Sequence, residues 1–563
     1  MSALAPFRPS LNSPPAHAFG GVPNEIALRI INFIARKRDI ANLALTCKDL
    51  RLLTLPLLYE HIYITETKWS PQDLCDLTSP SNPASTEIRD ITIIRPFPRG
   101  QHFYNNWAHL FRHIPNHQLR SVRFICQATP EHPTSFVDYM FQTQRNLVTL
   151  DLRWPPRALS TMPSPDRTLP YLPMLTSIAI CVQCNSHVSM AKAAGAMLAG
   201  ACNLKHLSGG CCVHHTAPGR PDSFVLTANM LALLGIRFRL KTLTLTGCPW
   251  KRNSSVVFCR LLEEIVDFSD LQSLTLRECM RRPGIFLSMI ANLYPDTKVR
   301  DIVIEGGYFD DTEIYNFQKF RNLRRLVLAG VGVLHTSGPK AGASYSTRKG
   351  FIKMCQELTL RSGTLRTLCL EVCGRGRSRV TLSLGRSFSA LGEDMYRVLT
   401  NLVASHPGLE ELWISLPTLE THHSEPNGGE LEMQAFLNAV SIAPRLRLLC
   451  NIRPHKNRQN AEASYDTLVD FYEGNPWLPN VAYEMFRRSA SANPALRVVA
   501  FGYLPVDGVQ GRIETVVEEL SAKELFLEED FYYWDMFEQY EFEGQHASPK
   551  LITDCIDWMD TSA

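Results

Sequence analysis

A short hydrophobic phrase, Leu-x-x-Leu-x-Leu with aliphatic substitutes, recurs along this 563-residue chain and limits what it can fold into. It appears as IRDITI from Ile88, LRSVRF from Leu119, LVTLDL from Leu147, LTSIAI from Leu175, LKHLSG from Leu204 and LKTLTL from Leu240. It continues as LQSLTL from Leu271, VRDIVI from Val299, LRRLVL from Leu323, LRTLCL from Leu365, LEELWI from Leu409, LRLLCN from Leu446 and LRVVAF from Leu496. From Leu119 the successive intervals are about 28, 28, 29, 36, 31, 28 and 24 residues, close to the leucine-rich-repeat period. Between the phrases lie stretches of helical period: SFVDYMFQTQ, AKAAGAMLAGA, SVVFCRLLEEIVDF, IFLSMIANL, DTEIYNFQKF, EDMYRVLTNLVAS and MQAFLNAVSIA. Each unit therefore reads as one strand and one helix, and neither buries its apolar face without the neighbouring repeats. The expected class is α/β: a curved parallel sheet with helices on the convex side, over residues 65–512.

Cys212, Cys248, Cys279 and Cys373 fall at the ninth place of their repeats, where this architecture carries Asn or Cys. Polar insertions stretch the later repeats near 335–350, 374–392 and 416–430, as surface excursions. Residues 1–20 are rich in Pro, Ser and Ala and read as a disordered lead-in. From 513 to 563 about fourteen acids stand against Lys523 and Lys550, marking an acidic, aromatic tail or cap.

The overall balance of 58 basic and 55 acidic residues argues against a nucleic-acid partner recruited by bulk charge. Sixteen scattered cysteines fit a reducing compartment better than a disulfide framework. No apolar run reaches the length of a membrane span, and the opening MSALAPFRPSLNSPPAHAFGG lacks the pattern of a secretory signal. The expected location is cytoplasm or nucleus, with no membrane partner. None of the nucleophile-elbow, HExxH, Walker or dinucleotide motifs occurs, so no enzyme, cofactor or metal is expected. Cys181-x-x-Cys184, with Cys202, Cys211, Cys212, His214 and His215 downstream, fits no compact zinc pattern, and its cysteines read as small buried side chains.

Ahead of the repeats, PNEIALRIINFIA from Pro23 reads as a helix with Ile26, Ile30 and Ile34 on one apolar stripe. Asp39 can cap a second helix, DIANLALT, and CKDLRLLTLPLL makes a third ending near Pro56. Three helices so short need a partner or a neighbouring domain to finish their core. By periodicity alone, the stripe could equally pack on the first repeat.

Val22-Pro23-Asn24-Glu25-Ile26, followed by Ile30, Ile34, Asp39, Leu43, Thr46-Cys47-Lys48 and Leu50, closely resembles an F-box, over residues 21–64. Val22 and Pro23 match its opening Leu-Pro pair, Glu25 and Ile26 the Glu-Ile/Leu that follows, and Cys47 the cysteine before the basic residue of the third helix. Val22 replaces the commoner leucine, and Leu50 stands where many F-boxes have tryptophan. The LYEHIYI segment from Leu58 resembles the stretch that follows the F-box in many fungal members, and the repeats resemble those of leucine-rich-repeat F-box proteins.

The resemblance implies a non-catalytic substrate receptor of a cullin-RING (SCF-type) ubiquitin ligase. Val22, Pro23, Glu25, Ile26, Ile30, Ile34, Leu43, Cys47 and Leu50 would meet a Skp-type adaptor, with Arg36, Lys37, Arg38 and Lys48 as a basic rim. An unidentified protein substrate would lie on the concave face. There Arg123, Arg153, Thr246, Arg277 and Arg325 make the earlier part basic, and Glu371, Glu410 and Glu411 make the later part acidic. Trp413 reads equally as an exposed aromatic anchor on a rigid strand or as a side chain covered by a loop insertion or by the acidic tail. The other readings are a repeat scaffold outside any ligase and, behind it, a Cys/His metal protein. Basic residues also recur just after the first aliphatic of the repeats, at Arg89, Arg120, Lys205, Lys241, Arg300, Arg324, Arg366, Arg447 and Arg497, as a ladder along the sheet edge.

Overall fold

The computed structural model describes residues 22–34, 37–65, 71–77, 82–94, 113–125, 143–153, 172–181, 198–210, 231–246, 254–277, 282–310, 313–334, 347–360, 363–372, 393–414, 428–453, 491–496, 498–503 and 513–517, with a few single positions beside them. The chain is α/β and divides into two compact units, one running to Ile180 with Lys192–Asn203, the other comprising Cys181–Ala191 and the chain from Leu204 onward.

The first unit opens with three helices, α1 (Asn24–Asn32), α2 (Lys37–Ala44) and α3 (Lys48–Tyr59). Ile31, Ile40 and Leu50 form their common core, with Ile34, Leu43, Leu53, Leu57 and Leu58 packed around it. On α1 the buried residues are Ala27 and Ile31, while Ile26 and Ile30 face outward, so the stripe of Ile26, Ile30 and Ile34 is divided, with Ile34 alone packed against the core. Helix α2 starts at Lys37, which places Asp39 inside its first turn rather than at its cap. Helix α3 runs one turn past the expected stop. Pro56 lies in its final turn, where its missing N–H removes a single helical donor, and the Pro56 carbonyl accepts from Glu60 N at 2.7 Å. A short helix α4 (Pro71–Leu77) follows β1 (His61–Thr65).

The phrases then become strands, each beginning two residues after its first aliphatic: β2 (Asp90–Ile94), β3 (Ser121–Ile125), β4 (Thr149–Arg153) and β5 (Ser177–Cys181). Strands β1 to β5 pair in sequence order, all parallel. The aliphatic positions, Ile91 and Ile93, Val122, Leu150, Ile178 and Ile180, are buried because period-two alternation sends them all to one face. Between strands the turns are braced by side chains. Gln144, itself buried, accepts from the backbone N–H of Gln118 and Leu119, both at 3.0 Å, and donates to the Pro115 carbonyl at 3.1 Å. Asn146 donates to the carbonyl of His117 at 2.7 Å, one repeat earlier, where the backbone enters the left-handed region with φ 62°.

In the second unit the sheet strands are β6 (His206–Gly210), β8 (Thr242–Thr246), β10 (Ser273–Arg277), β11 (Asp301–Glu305), β13 (Arg325–Leu334), β14 (Thr367–Val372), β15 (Glu411–Ile414), β16 (Leu448–Arg453) and β17 (Val498–Tyr503). The short strands β7 (Phe238–Arg239) and β9 (Val266–Asp267) pair with each other, and β12 (Tyr308–Asp310) pairs with the end of β13. From β6 to β17 every sheet pair is parallel, and β18 (Ile513–Val517) closes the row antiparallel on β17. The segment read as an acidic tail thus begins with a strand; its remainder lies outside the described residues.

Helices α5 (Ser254–Ile265), α6 (Pro283–Leu293), α7 (Thr347–Thr359), α8 (Glu393–Ser405) and α9 (Gly428–Ser441) connect these strands. Three differences from expectation stand out. DTEIYNFQKF forms a 3₁₀ turn at Ile314–Lys319 rather than an α-helix, in a repeat of 24 residues from Val299 to Leu323 that leaves little chain for one. Helix α7 begins inside the stretch read as the 335–350 insertion, and β1 joins the sheet one strand before the first phrase. Cys212, Cys248, Cys279 and Cys373 lie outside the described residues, as do SFVDYMF and most of AKAAGAMLAGA.

The brace at Gln144 yields a test. Replacing it by Leu removes the partner of the buried Leu119 N–H and of the less buried Gln118 N–H and Pro115 carbonyl, and a loss of about 1–3 kcal/mol is expected in denaturant unfolding of the full chain. A change below about 0.5 kcal/mol would show that these groups find other partners.

Candidate functional site

Two surfaces carry the residues singled out from the sequence, one in each unit. On the first unit's helices the structure separates them by burial. Ile26 is 44% exposed, Ile30 51% and Phe33 88%, and their spacing places them on one face of α1. Leu45, just beyond α2, and Leu52 on α3 are exposed as well. Pro23, Glu25 and Cys47 are exposed, and Val22, Ile34 and Leu43 half-buried.

Leu50 corrects an expectation: at 6% exposure it belongs to the helices' own core and is closed to a partner. Its place is fixed by Cys47, which caps α3 with its Sγ accepting from Leu50 N at 3.5 Å. Thr54 donates to the Leu50 carbonyl at 2.7 Å from within the same buried side of α3. Phe33, Leu45 and Leu52 were missed. The signal was present in the residue count, since helices this short hold more large apolar side chains than one small core accommodates. Lys48 is exposed, whereas Arg36 and the side chains of Lys37 and Arg38 fall outside the described residues.

Next to these helices, Glu60, His61 and Asp90 bring ligand-type atoms within 4.8 Å of one another. Arg120 already supplies the cation there: its guanidinium contacts Glu60 and lies 3.5 Å from Asp90, while His61 Nδ1 is 2.7 Å from the same Asp90 oxygen. Burial raises the Asp90 carboxyl, and His61 and Arg120 pull it back down. This is a surface ion cluster that ties β1 to β2 and β3.

In the second unit the strand register lines up the residues expected on the concave face. Asp301, Arg325, Thr367 and Glu411 sit side by side on β11, β13, β14 and β15. Two residues further along, Val303, Val327, Cys369 and Trp413 form a parallel row. All four of these are buried, Trp413 to 1% exposure. Both faces of the sheet are therefore withdrawn from solvent here, since the aliphatic face with Ile302, Ile304, Leu326, Leu328, Leu368 and Leu412 is buried too.

Trp413 as an exposed anchor is thus overturned, and Glu411, only 5% exposed, is closed to a substrate with it. A readable signal existed: IVI, LVL, LCL and LWI are continuous apolar runs, as strands buried on both sides are, whereas LTL of β8 and β10 alternates. Arg277 pairs with its register neighbour Glu305 at 3.2 Å, both largely buried. Arg123 is half-buried on β3 of the other unit. The side chains of Arg153, Thr246 and Glu371 lie outside the described residues, as do His214 and His215. Of the Cys181–His215 group, Cys202 alone has a described side chain, and it is exposed.

The buried charges behave accordingly. Burial pushes Glu411 up to about 8, against the pull of Arg325 and a hydrogen bond donated by Thr367 Oγ1 at 3.2 Å. Burial likewise lowers Arg325, against the support of Asp301 and Glu411. Among the described residues, Arg325 Nε and Nη2 and Trp413 Nε1 are buried without a hydrogen-bond partner. Such a row favours a neutral Glu411 and a dry face, not a hydrated docking surface.

Among the described residues no helix is long and apolar enough to cross a membrane. Compared with protein-family models and with curated proteins, the chain matches none.

Glu411 supplies a pH test. Its folded value lies above the unfolded one, so folding is favoured while the group keeps its proton, and stability is lost as pH rises from the ordinary carboxylate range towards about 8. Glu411→Gln, which keeps the acceptor for Thr367, is expected to equal wild type near pH 4 and to exceed it by about 4 kcal/mol near pH 8. A stability difference independent of pH would contradict a protonated Glu411.

Proposed function

We propose that this chain is a non-catalytic substrate receptor of a cullin-RING (SCF-type) ubiquitin ligase, with an F-box over residues 21–64 and a leucine-rich-repeat solenoid behind it. The observation that carries the reading is the outward apolar face of α1. Ile26, Ile30 and Phe33 stay exposed on a helix whose other stripe already completes the trio's core, so the surface has no internal task. Large exposed apolar side chains grouped on one rigid helix are what a helix-packing partner requires. The order of parts supports it as well, with the F-box-like motif leading directly into the repeats.

In this reading Pro23, Glu25, Ile26 and Ile30 meet a Skp-type adaptor, joined by Phe33. Leu50 supports them from beneath. The repeats present a protein substrate to the ligase, and the ubiquitin chemistry belongs to other subunits; proximity is the chain's whole contribution. Substrate contacts fall outside the dry row of Trp413 and Glu411. A cytoplasmic or nuclear location follows from the partner.

Co-purification with a Skp-type adaptor tests the reading. Ile30→Asp places a charge on the outward face at little cost to folding, because Ile30 is half exposed, and it is expected to weaken the complex by about 2 kcal/mol or more with the thermal transition retained. Failure of the wild-type chain to capture the adaptor, or full capture by Ile30→Asp, would remove the F-box function.

A further inference from the structure

The basic residues after the first aliphatic of each repeat form a physical object in the second unit. Lys205, Lys241, Arg300, Arg324 and Arg366 stand immediately before β6, β8, β11, β13 and β14, with Gln272 at the matching place before β10. Their backbones are hydrogen-bonded in series. Lys241 N donates to Lys205 O at 2.7 Å, Gln272 N to Lys241 O at 2.8 Å, and Arg300 N to Gln272 O at 2.7 Å. Arg324 N donates to Arg300 O and Arg366 N to Arg324 O, both at 2.7 Å. Neighbouring strands lie about 4.8 Å apart, so the series spans roughly 24 Å. All five cationic side chains are exposed.

The acids along this edge are already engaged. Asp270 meets Lys298 at 2.5 Å and Arg239 at 2.6 Å, and the Lys298 hydrogen bond, followed by the Arg239 charge, holds its carboxyl below the usual range. Glu410 lies 3.4 Å from Arg366. Among the described residues, Lys205, Lys241, Arg300 and Arg324 have no ion-pair partner. Lys205 and Lys241 stand on neighbouring strands, as do Arg300 and Arg324, and Arg324 and Arg366, so like charges are crowded along the edge while the sheet register keeps their backbones from moving apart. His206 feels the same field: after burial, Lys241 and Lys205 are what lower its pKa.

We infer that this edge is a docking strip for an extended acidic polypeptide segment. An extended chain advances about 3.3 Å per residue, so about seven residues span the strip and place alternate carboxylates along it. The match is of charge sign and of an elongated, regularly spaced shape. A single-stranded nucleic acid fits less well, because β6, β8, β10, β11, β13 and β14 carry no Phe, Tyr or Trp on which a base could stack. The inference is independent of the adaptor surface and holds whether or not the chain serves a ligase.

The test uses the full chain and a labelled peptide of about ten alternating Glu and Asp residues, with affinity read by fluorescence anisotropy at about 50 and about 200 mM salt. Lys241→Gln/Arg324→Gln is expected to weaken binding about tenfold at the lower salt, and the gap should narrow at the higher. Lys205→Gln/Arg300→Gln serves as a second variant, and all variants are checked by circular dichroism. Arg145→Gln/Arg260→Gln, which removes exposed charges elsewhere, should bind as wild type does. The inference is overturned if wild type does not bind the peptide, if both strip variants bind unchanged, or if the Arg145/Arg260 variant loses as much. Tighter, strip-dependent binding of an oligouridine of similar length would overturn it in favour of RNA.

Discussion

The parallel register is the constraint on which the rest of this structure depends. Each strand begins two residues after the first aliphatic of its phrase, and the backbone amide between them reaches the equivalent carbonyl one repeat earlier, as from Arg120 to Arg89 in the first unit and from Arg324 to Arg300 in the second. One phrase fixes three things together: the inward aliphatics, the outward residues between them, and the edge residue. A repeat cannot satisfy its backbone groups alone, so stability here belongs to neighbouring pairs rather than to single elements.

That same register decides the fate of every outward residue. It stacks Asp301 on Arg325 and Val327 on Cys369, and it stacks cations at the edge whether or not they are answered. Burial then sorts these rows. The central row of Val303, Val327, Cys369 and Trp413 is buried, the row with Arg325 and Glu411 is largely buried, and the edge row stays exposed, with Arg366 paired to Glu410 and its other cations open. A face that sequence presents as one recognition surface is three different surfaces physically.

Much of this was legible before any coordinates, and the limits have physical causes. The strands from Asp90 to Tyr503 follow from the phrase because alternation of period two and a parallel ladder leave one workable register. The short helices were legible too, but not which stripe of α1 packs, since Ala27 and Ile31 compete with Ile26 and Ile30 for the same small core. Trp413 stayed open between an exposed anchor and a covered side chain because alternation tells which way a residue points, not whether that face is buried. Pro56 misled because a proline in the last turn removes only one helical bond. The cation ladder was visible as a pattern, yet only the burial and the ion pairs of Asp270 and Glu410 show which of its members stay unanswered.

The proposed function turns on the outward face of α1 being a docking surface rather than a solvent-facing remnant. Hydrogen exchange on the full chain, with and without a Skp-type adaptor, addresses it most directly. A docking face at α1 predicts slower exchange across residues 24–33 when the adaptor is present, with the amides of β8 and β10 unchanged. Unaltered exchange across 24–33 in the presence of adaptor, or protection confined to the repeats, would contradict it.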